Sequence, residues 1–265
     1  MAFADVNGQR IHFEDTGGDG PVLAFSHGLL MDGSMWDPQV EALRSRYRCI
    51  TWDERGHGRT ESDGASFTYW ESASDLVALL DHLRVSRATL IGMSQGGYLT
   101  QRAAVEMPGL VESLVFVASQ AGTEDPEKVG RYGALLDAWE RDGLGPELAR
   151  TVAAIVLGAD WEGSAVWIEK WQRMDPASLR GTLAPLLARE DFTARLGELD
   201  RPALVIWGDR DAAISAERAR ALAAGLPQGS LEVVPGGVHA VNLTHPREVN
   251  RALATFLDRA VPAPS

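Results

Sequence analysis

From Phe3 to Glu14, apolar and polar residues alternate on either side of Asn7-Gly8, the pattern of two strands joined by a two-residue type I′ turn. Val22 to Ser26, Arg48 to Trp52, Ala88 to Met93 and Val111 to Ala118 are short apolar runs of strand length, rich in β-branched and aliphatic side chains. Helical patterns lie between them. Asp37 to Arg46 has Pro38 in its first turn, where a proline fits. Tyr69 to Leu83 carries Ala73, Leu76, Leu80 and Leu83 on one face, and a third helix runs from the turn after Met93 to Met107. After Ser119 the alternation of strand and helix stops. Gln120 to Pro126 is polar and turn-prone, and only helical patterns follow to about Leu196. Strands resume with Ala203 to Trp207 and Ser230 to Val234, separated by a helix over Ser215 to Gly225, and a last helix spans Pro246 to Ala260. This order predicts an α/β fold with a mostly parallel central sheet flanked by helices. The core occupies residues 1–120 and 196–265, interrupted by a helical cap over 121–195.

Composition narrows the partners more than the fold. The chain has 265 residues, enough for one substantial α/β domain with an inserted subdomain. A formal net charge of -12 and a pI near 4.9 argue against nucleic acid or an anionic membrane surface as partner. Cys49 is the only cysteine, which excludes an internal disulfide and a cysteine metal cluster; its apolar neighbours Ile50, Thr51 and Trp52 suit a buried, inert thiol. No apolar run reaches membrane-spanning length, and the first residues lack the basic and apolar regions of a signal peptide. A cytoplasmic setting is expected.

Two glycine- or acid-rich loops invite other readings and fail them. Asp15 to Gly20 has part of the spacing of a calcium loop, but Gly17 replaces one ligand and Ser26 stands where the bidentate Glu belongs. Gly56-x-Gly58 is followed by Glu61 in place of the third glycine of a dinucleotide loop. No lysine follows a glycine-rich loop in the phosphate-cradling arrangement. No metal and no organic cofactor is expected.

The stretch Gly92-Met93-Ser94-Gln95-Gly96 sits between a predicted strand and a predicted helix. It fits G-x-S-x-G, the signature of a nucleophile elbow. Strand and helix backbones nearly touch at such a turn, which demands neighbours without side chains. The helix N-terminus beyond it favours developing negative charge. Serine chemistry further needs a base and a carboxylate that orients it. Asp211 and His239 each follow a late predicted strand and complete the order Ser, acid, His.

From Val22 to Phe256 the chain resembles the α/β-hydrolase fold family, in the branch of small serine esterases, enol-lactonases and cofactor-free haloperoxidases. The resemblance is carried by His27-Gly28, by D-x-R-G-x-G at Asp53 to Gly58, by Gly92 to Gly97, by Gly208-Asp209-Arg210-Asp211, and by Gly237-Val238-His239 leading to Pro246. It implies a catalytic triad of Ser94, Asp211 and His239, and an oxyanion hole made by the backbone N–H groups of Leu29 and Gln95. Asp209 is the rival acid within its own loop, and Glu124 or Asp125 is the position used by a minority of the fold. His245 is the nearest rival base. His27 and His57 match loop-organising positions, His12 lies in the hairpin, and His82 lies on a helix.

The function implied is a serine hydrolase that cleaves a small-molecule carboxylic ester or lactone through an acyl-enzyme. Haloperoxidase or perhydrolase activity with the same triad is one alternative, and a ligand receptor of the same fold is another. Four of the eight tryptophans, Trp139, Trp161, Trp167 and Trp171, fall in the cap segment. Leu30, Met93, Trp139, Trp167 and Trp171 are expected to wall an apolar substrate pocket, against the reading that the cap tryptophans only pack the cap on the core. Nothing in the sequence indicates the oligomeric state.

Overall fold

Asn7 and Gly8 both take positive φ, 48° and 73°, as a type I′ turn requires. They join β1 (Ala2–Val6) to antiparallel β2 (Gln9–Asp15), with Val6 opposite Gln9. The structure is a computed structural model that describes residues 2–61 and 64–261. Six further strands follow: β3 (Val22–Ser26), β4 (Arg48–Trp52), β5 (Ala88–Met93), β6 (Val111–Val117), β7 (Pro202–Gly208) and β8 (Gln228–Val234). They form one sheet in the order β1-β2-β4-β3-β5-β6-β7-β8. β2 pairs antiparallel with β4, and every pairing from β4 to β8 is parallel. All six residues of β5 are buried, as a central parallel strand covered on both faces demands.

The helices are α1 (Asp37–Leu43), α2 (Tyr69–His82), α3 (Gln95–Glu106), α4 (Pro126–Asp142), α5 (Pro146–Val156), α6 (Ser164–Gln172), α7 (Pro176–Ala188), α8 (Ala216–Gly225), α9 (Val241–Thr244) and α10 (Pro246–Ala260). The start of α2 is set by a capping box, in which Thr68 and Glu71 each bond the other's backbone N–H. α2 packs on α3, which lies along β3, β5 and β6, while α1 packs on α10, which lies along β7 and β8. Helices α4 to α7 fall between β6 and β7 with no strand among them. They share one continuous apolar cluster with the sheet, since buried Trp139, Trp167 and Trp171 belong to the same cluster as Phe25, Ile91 and Met93. None of the described helices is long and apolar enough to cross a membrane.

Two expected boundaries move by more than one residue. α1 stops at Leu43, three residues before Arg46, where the chain turns into β4. β8 begins at Gln228, two residues before Ser230. It is an outer strand whose residues are mostly exposed, so its first residues carry no apolar signal.

The centre of the fold is the junction of β5 with α3. A Cβ on Gly92 would collide with the backbone of Gly96 and Gly97, and a Cβ on Gly96 would collide with the carbonyl oxygens of Ser26 and His27 at the end of β3. Strand, turn and helix therefore meet backbone to backbone. We expect Gly96→Ala to destabilise the protein by at least about 1–3 kcal/mol, because the obstacles are main-chain atoms that cannot swing aside. Gly109→Ala, with nothing within 4 Å of its new Cβ, should change stability by no more than about 0.5–1 kcal/mol. Urea unfolding of the two variants checks this; equal midpoints would contradict it.

Candidate active site

Ser94 joins β5 to α3 at φ 51° and ψ -113°, a backbone state that costs a non-glycine residue on the order of 1–3 kcal/mol. Its N–H donates to Val117 O at 2.9 Å, and its own carbonyl accepts from Gly97 N and from Ser119 Oγ, both at 2.9 Å. These bonds hold the strained turn. Gln95 is the first residue of α3, so its N–H precedes the first intrahelical bonds. Ser94 and His239 line one cavity of about 120 Å³, walled by Leu29, Leu30, Met93 and Trp139 among others.

His239 turns Nδ1 to the carboxylate of Asp211, 3.1 Å from Oδ1 and 3.0 Å from Oδ2. The carboxylate is itself fixed, because Oδ1 accepts from the N–H groups of Ala213 at 2.7 Å and Ile214 at 2.9 Å. An ionised carboxylate only accepts, so Nδ1 carries the imidazole proton and Nε2 keeps its lone pair. Asp209 is exposed and accepts from Gly236 N at 2.7 Å, holding the turn after β8. Glu124 lies in the cavity wall but pairs with Arg189 at 3.3 Å. Asp125 is exposed, within 3.8 Å of Arg218. Of the four candidate acids, Asp211 is the one bonded to His239. His245 bonds Thr244 Oγ1 at 3.0 Å, and His12 pairs with buried Asp53 at 2.9 Å.

The loop that carries Leu29 is held from both sides. On the core side, Gly28 O accepts from Met31 N at 3.0 Å and from His27 Nδ1 at 2.8 Å, and Gly33 N donates to Asp53 Oδ1 at 2.8 Å. On the insert side, Trp171 Nε1 donates to Leu30 O at 2.7 Å, and Lys170 Nζ reaches Asp32 Oδ2 and Ser34 Oγ, each at 2.7 Å. Burial pushes the Asp32 carboxyl up, but the bonds from Lys170 and Ser34 outweigh it and hold its pKa below the ordinary value. Leu30 sits at φ 64° within this loop.

This arrangement corrects the expected pocket. Leu30, Met93 and Trp139 line the cavity, but Trp167 and Trp171 do not. Trp171 is fully buried with its N–H committed to the Leu30 carbonyl, and Trp167 packs under the Lys170 ammonium, 4.2 Å from its ring centre. Both brace the loop from behind. Tyr98, Tyr132 and Thr182 line the cavity without having been singled out from the sequence. Tyr132 and Thr182 lie on α4 and α7, where helical spacing alone does not tell which face meets the core.

A buried polar network lies beneath the elbow. Gln95 Nε2 donates to Glu54 Oε2 in a short contact, and Tyr69 Oη donates to Gln95 Oε1 at 3.4 Å. His57 accepts at Nε2 from Gln95, 3.4 Å away, and donates from Nδ1 to Arg55 O at 3.1 Å. Burial, aided by nearby Asp75, pushes the Glu54 carboxyl up to about 8. Burial and neighbouring His27 bring His57 down to about 3. His27, Glu54 and His57 place ligand-type atoms within 4.8 Å of one another, but the set does not fit a metal. His27 Nε2 accepts from Glu54 N at 2.9 Å while Nδ1 donates to Gly28 O, so ligation would strip a buried amide of its partner. Neither Glu54 nor its bond to Gln95 was legible in the sequence, where it reads as one charge in a polar loop.

Glu54 makes stability depend on pH with a definite sign. Its folded pKa is raised from 4.5 to about 8, so the neutral form is favoured in the native state. Its contribution is complete below about pH 4.5 and is lost as pH rises to about 8. We expect Glu54→Gln, which keeps an acceptor for Gln95, to gain on the wild type across that window, by up to about 4 kcal/mol at pH 8. Denaturant midpoints at pH 5, 7 and 9 measure it, and a difference that does not vary with pH would contradict the assignment.

Comparisons with known proteins identify the fold. A family model described as the alpha/beta hydrolase fold matches residues 21–246. A proposed carbamate hydrolase of Agrobacterium fabrum is 29% identical over 263 residues, covering 93% of this chain and 98% of the relative. A 3-oxoadipate enol-lactonase of Acinetobacter baylyi is 29% identical over 251 residues, covering 91% and 90%. Among solved structures, a thermophilic esterase from Thermogutta terrifontis superposes with a TM-score of 0.88 at 26% identity, covering 98% of each chain. The matched segment holds every strand from β3 to β8, the elbow and both late loops, and the chain belongs to the α/β-hydrolase fold family.

Proposed function

We propose that the protein is a serine hydrolase that cleaves a carboxylic ester or lactone of a small to medium apolar substrate through an acyl-enzyme on Ser94. The observation that carries the reading is the bond from His239 Nδ1 to the braced Asp211 carboxylate, with His239 and Ser94 opening on one apolar cavity. The substrate carbonyl enters over Ser94. His239 Nε2 takes the Ser94 proton as Oγ attacks, and the C=O electron pair moves to oxygen. The N–H groups of Leu29 and Gln95 hold that oxyanion, each donor supplying about 3 kcal/mol of transition-state stabilisation. The imidazolium, stabilised by Asp211, gives its proton to the departing alkoxide. In a lactone the new hydroxyl stays on the acyl chain. A water then gives a proton to His239 and its oxygen attacks the acyl carbon; release of the acid returns the proton to Ser94.

Residue exchange tests the reading directly. We expect Ser94→Ala to lose about a millionfold in kcat on p-nitrophenyl esters or simple lactones while staying folded. Asp211→Asn should lose about ten-thousandfold, and Asp209→Asn, which touches only a turn, much less. Retained activity in folded Ser94→Ala would overturn the mechanism, and a larger loss at Asp209 than at Asp211 would move the acid.

A further inference from the structure

One part of the cavity wall is polar and takes no part in the chemistry above. Glu124, on the segment after β6, is buried, yet it reaches the cavity, as do Tyr98 of α3 and Tyr132 of α4. Their hydrogen bonding is incomplete in a complementary way. Glu124 Oε2 accepts from Arg189 at 3.3 Å and Oε1 from Asp125 N at 3.2 Å, which leaves lone pairs on both oxygens. Tyr98 Oη accepts from Gln120 Nε2 at 3.5 Å, so its own proton faces no acceptor among the described residues. The Tyr132 hydroxyl has no hydrogen-bond partner among them. Burial, and then Glu124, Tyr98 and Asp211, hold the Tyr132 phenol up to about 12. Tyr132 thus faces the same cavity as Glu124 and Tyr98, and Arg189 ties those two together, pairing with Glu124 and lying over the Tyr98 ring.

The positive charge beside Glu124 is not offered to a ligand. Arg189 is 2% exposed at its side chain and does not line the cavity. Its other nitrogens donate to Gly122 O at 3.2 Å and Leu186 O at 2.8 Å, and its guanidinium lies over the Tyr98 ring, 4.4 Å from the centroid. A ligand at this end of the cavity meets phenol donors and a carboxylate acceptor. Among the described residues, no Lys or Arg lines the cavity.

Resting on the reading of Ser94 as the nucleophile, we infer that Glu124, Tyr98 and Tyr132 form a polar subsite for a hydroxyl group on the acyl chain of the substrate. A hydroxyl donates to the carboxylate and accepts from a phenol at once. A methyl group leaves both unmet, and a carboxylate is repelled by Glu124 without reaching Arg189. The substrate class is thus a neutral hydroxyalkanoate ester, or the lactone such a chain forms when it closes on itself.

The test uses methyl alkanoates of four to six carbons, the same esters bearing a hydroxyl at carbon 3, 4, 5 or 6, and monomethyl adipate as the anionic analogue. For at least one hydroxyl position we expect kcat/KM about tenfold above the parent ester, the size of one good hydrogen bond. Tyr132→Phe should bring that ratio towards one, and monomethyl adipate should be poorer than its neutral parent until Glu124→Gln removes the repelling charge. Calorimetry on Ser94→Ala separates recognition from turnover. The hydroxylated ester should bind about tenfold more tightly than the parent there, and Ser94→Ala/Tyr132→Phe should lose the difference. A binding preference without any turnover by the wild type would sink the hydrolase reading and leave the subsite standing. No preference at any hydroxyl position, or one that survives both Tyr132→Phe and Tyr98→Phe in folded protein, overturns the subsite.

Discussion

The backbone contact of Gly96 with the carbonyls of Ser26 and His27 is the constraint on which the rest of the structure depends. It brings the end of β3 and the start of α3 to van der Waals distance, and two consequences follow. The turn between β5 and α3 has no room to relax, so Ser94 stays in a left-handed backbone state and its side chain stands clear of the sheet. The loop leaving β3 is also forced past the head of α3, with the Ser26 and His27 carbonyls against Gly96. One close approach sets both the turn that carries Ser94 and the course of the loop that carries Leu29.

The surroundings hold that geometry from two directions. Below, Glu54 receives the Gln95 side chain, and a network of neutral, buried groups fixes the residue that follows Ser94. Above, α6 of the insert grips the Leu29 loop through Trp171 on the Leu30 carbonyl and Lys170 on Asp32. α6 is therefore tied to the core and does not merely lie over the cavity. Any displacement of α6 pulls on the Leu29 loop, because both bonds run from α6 to that loop. Hydrogen bonds in such partly or fully buried surroundings resist distortion because water cannot replace them.

How much of this was legible in the sequence follows from what kind of force decided each feature. The sheet and its helices rest on periodicity and turn chemistry, and Asn7-Gly8, Pro38 and the run Ala88 to Met93 carry those signals locally. The placement of Ser94, Asp211 and His239 after β5, β7 and β8 was legible because each sits in a short motif of fixed spacing, and the same spacing allowed membership of the fold family to be read from the residues. The cap tryptophans show the limit. Trp167 and Trp171 share a helical face, but spacing does not say whether that face meets a cavity or a loop, and the hydrogen bond to Leu30 O spans 141 positions of chain. Glu54 was equally silent, because a carboxyl that burial holds neutral looks in sequence like any solvated charge.

The central claim is that Ser94, activated by His239 and Asp211, is a nucleophile. Reaction with a fluorophosphonate, followed by peptide mass spectrometry, tests it most directly because it reports on the serine without requiring the natural substrate. The account predicts one covalent adduct per chain, on the peptide containing Ser94. An unreacted Ser94 in folded protein, or an adduct confined to another residue, would contradict it.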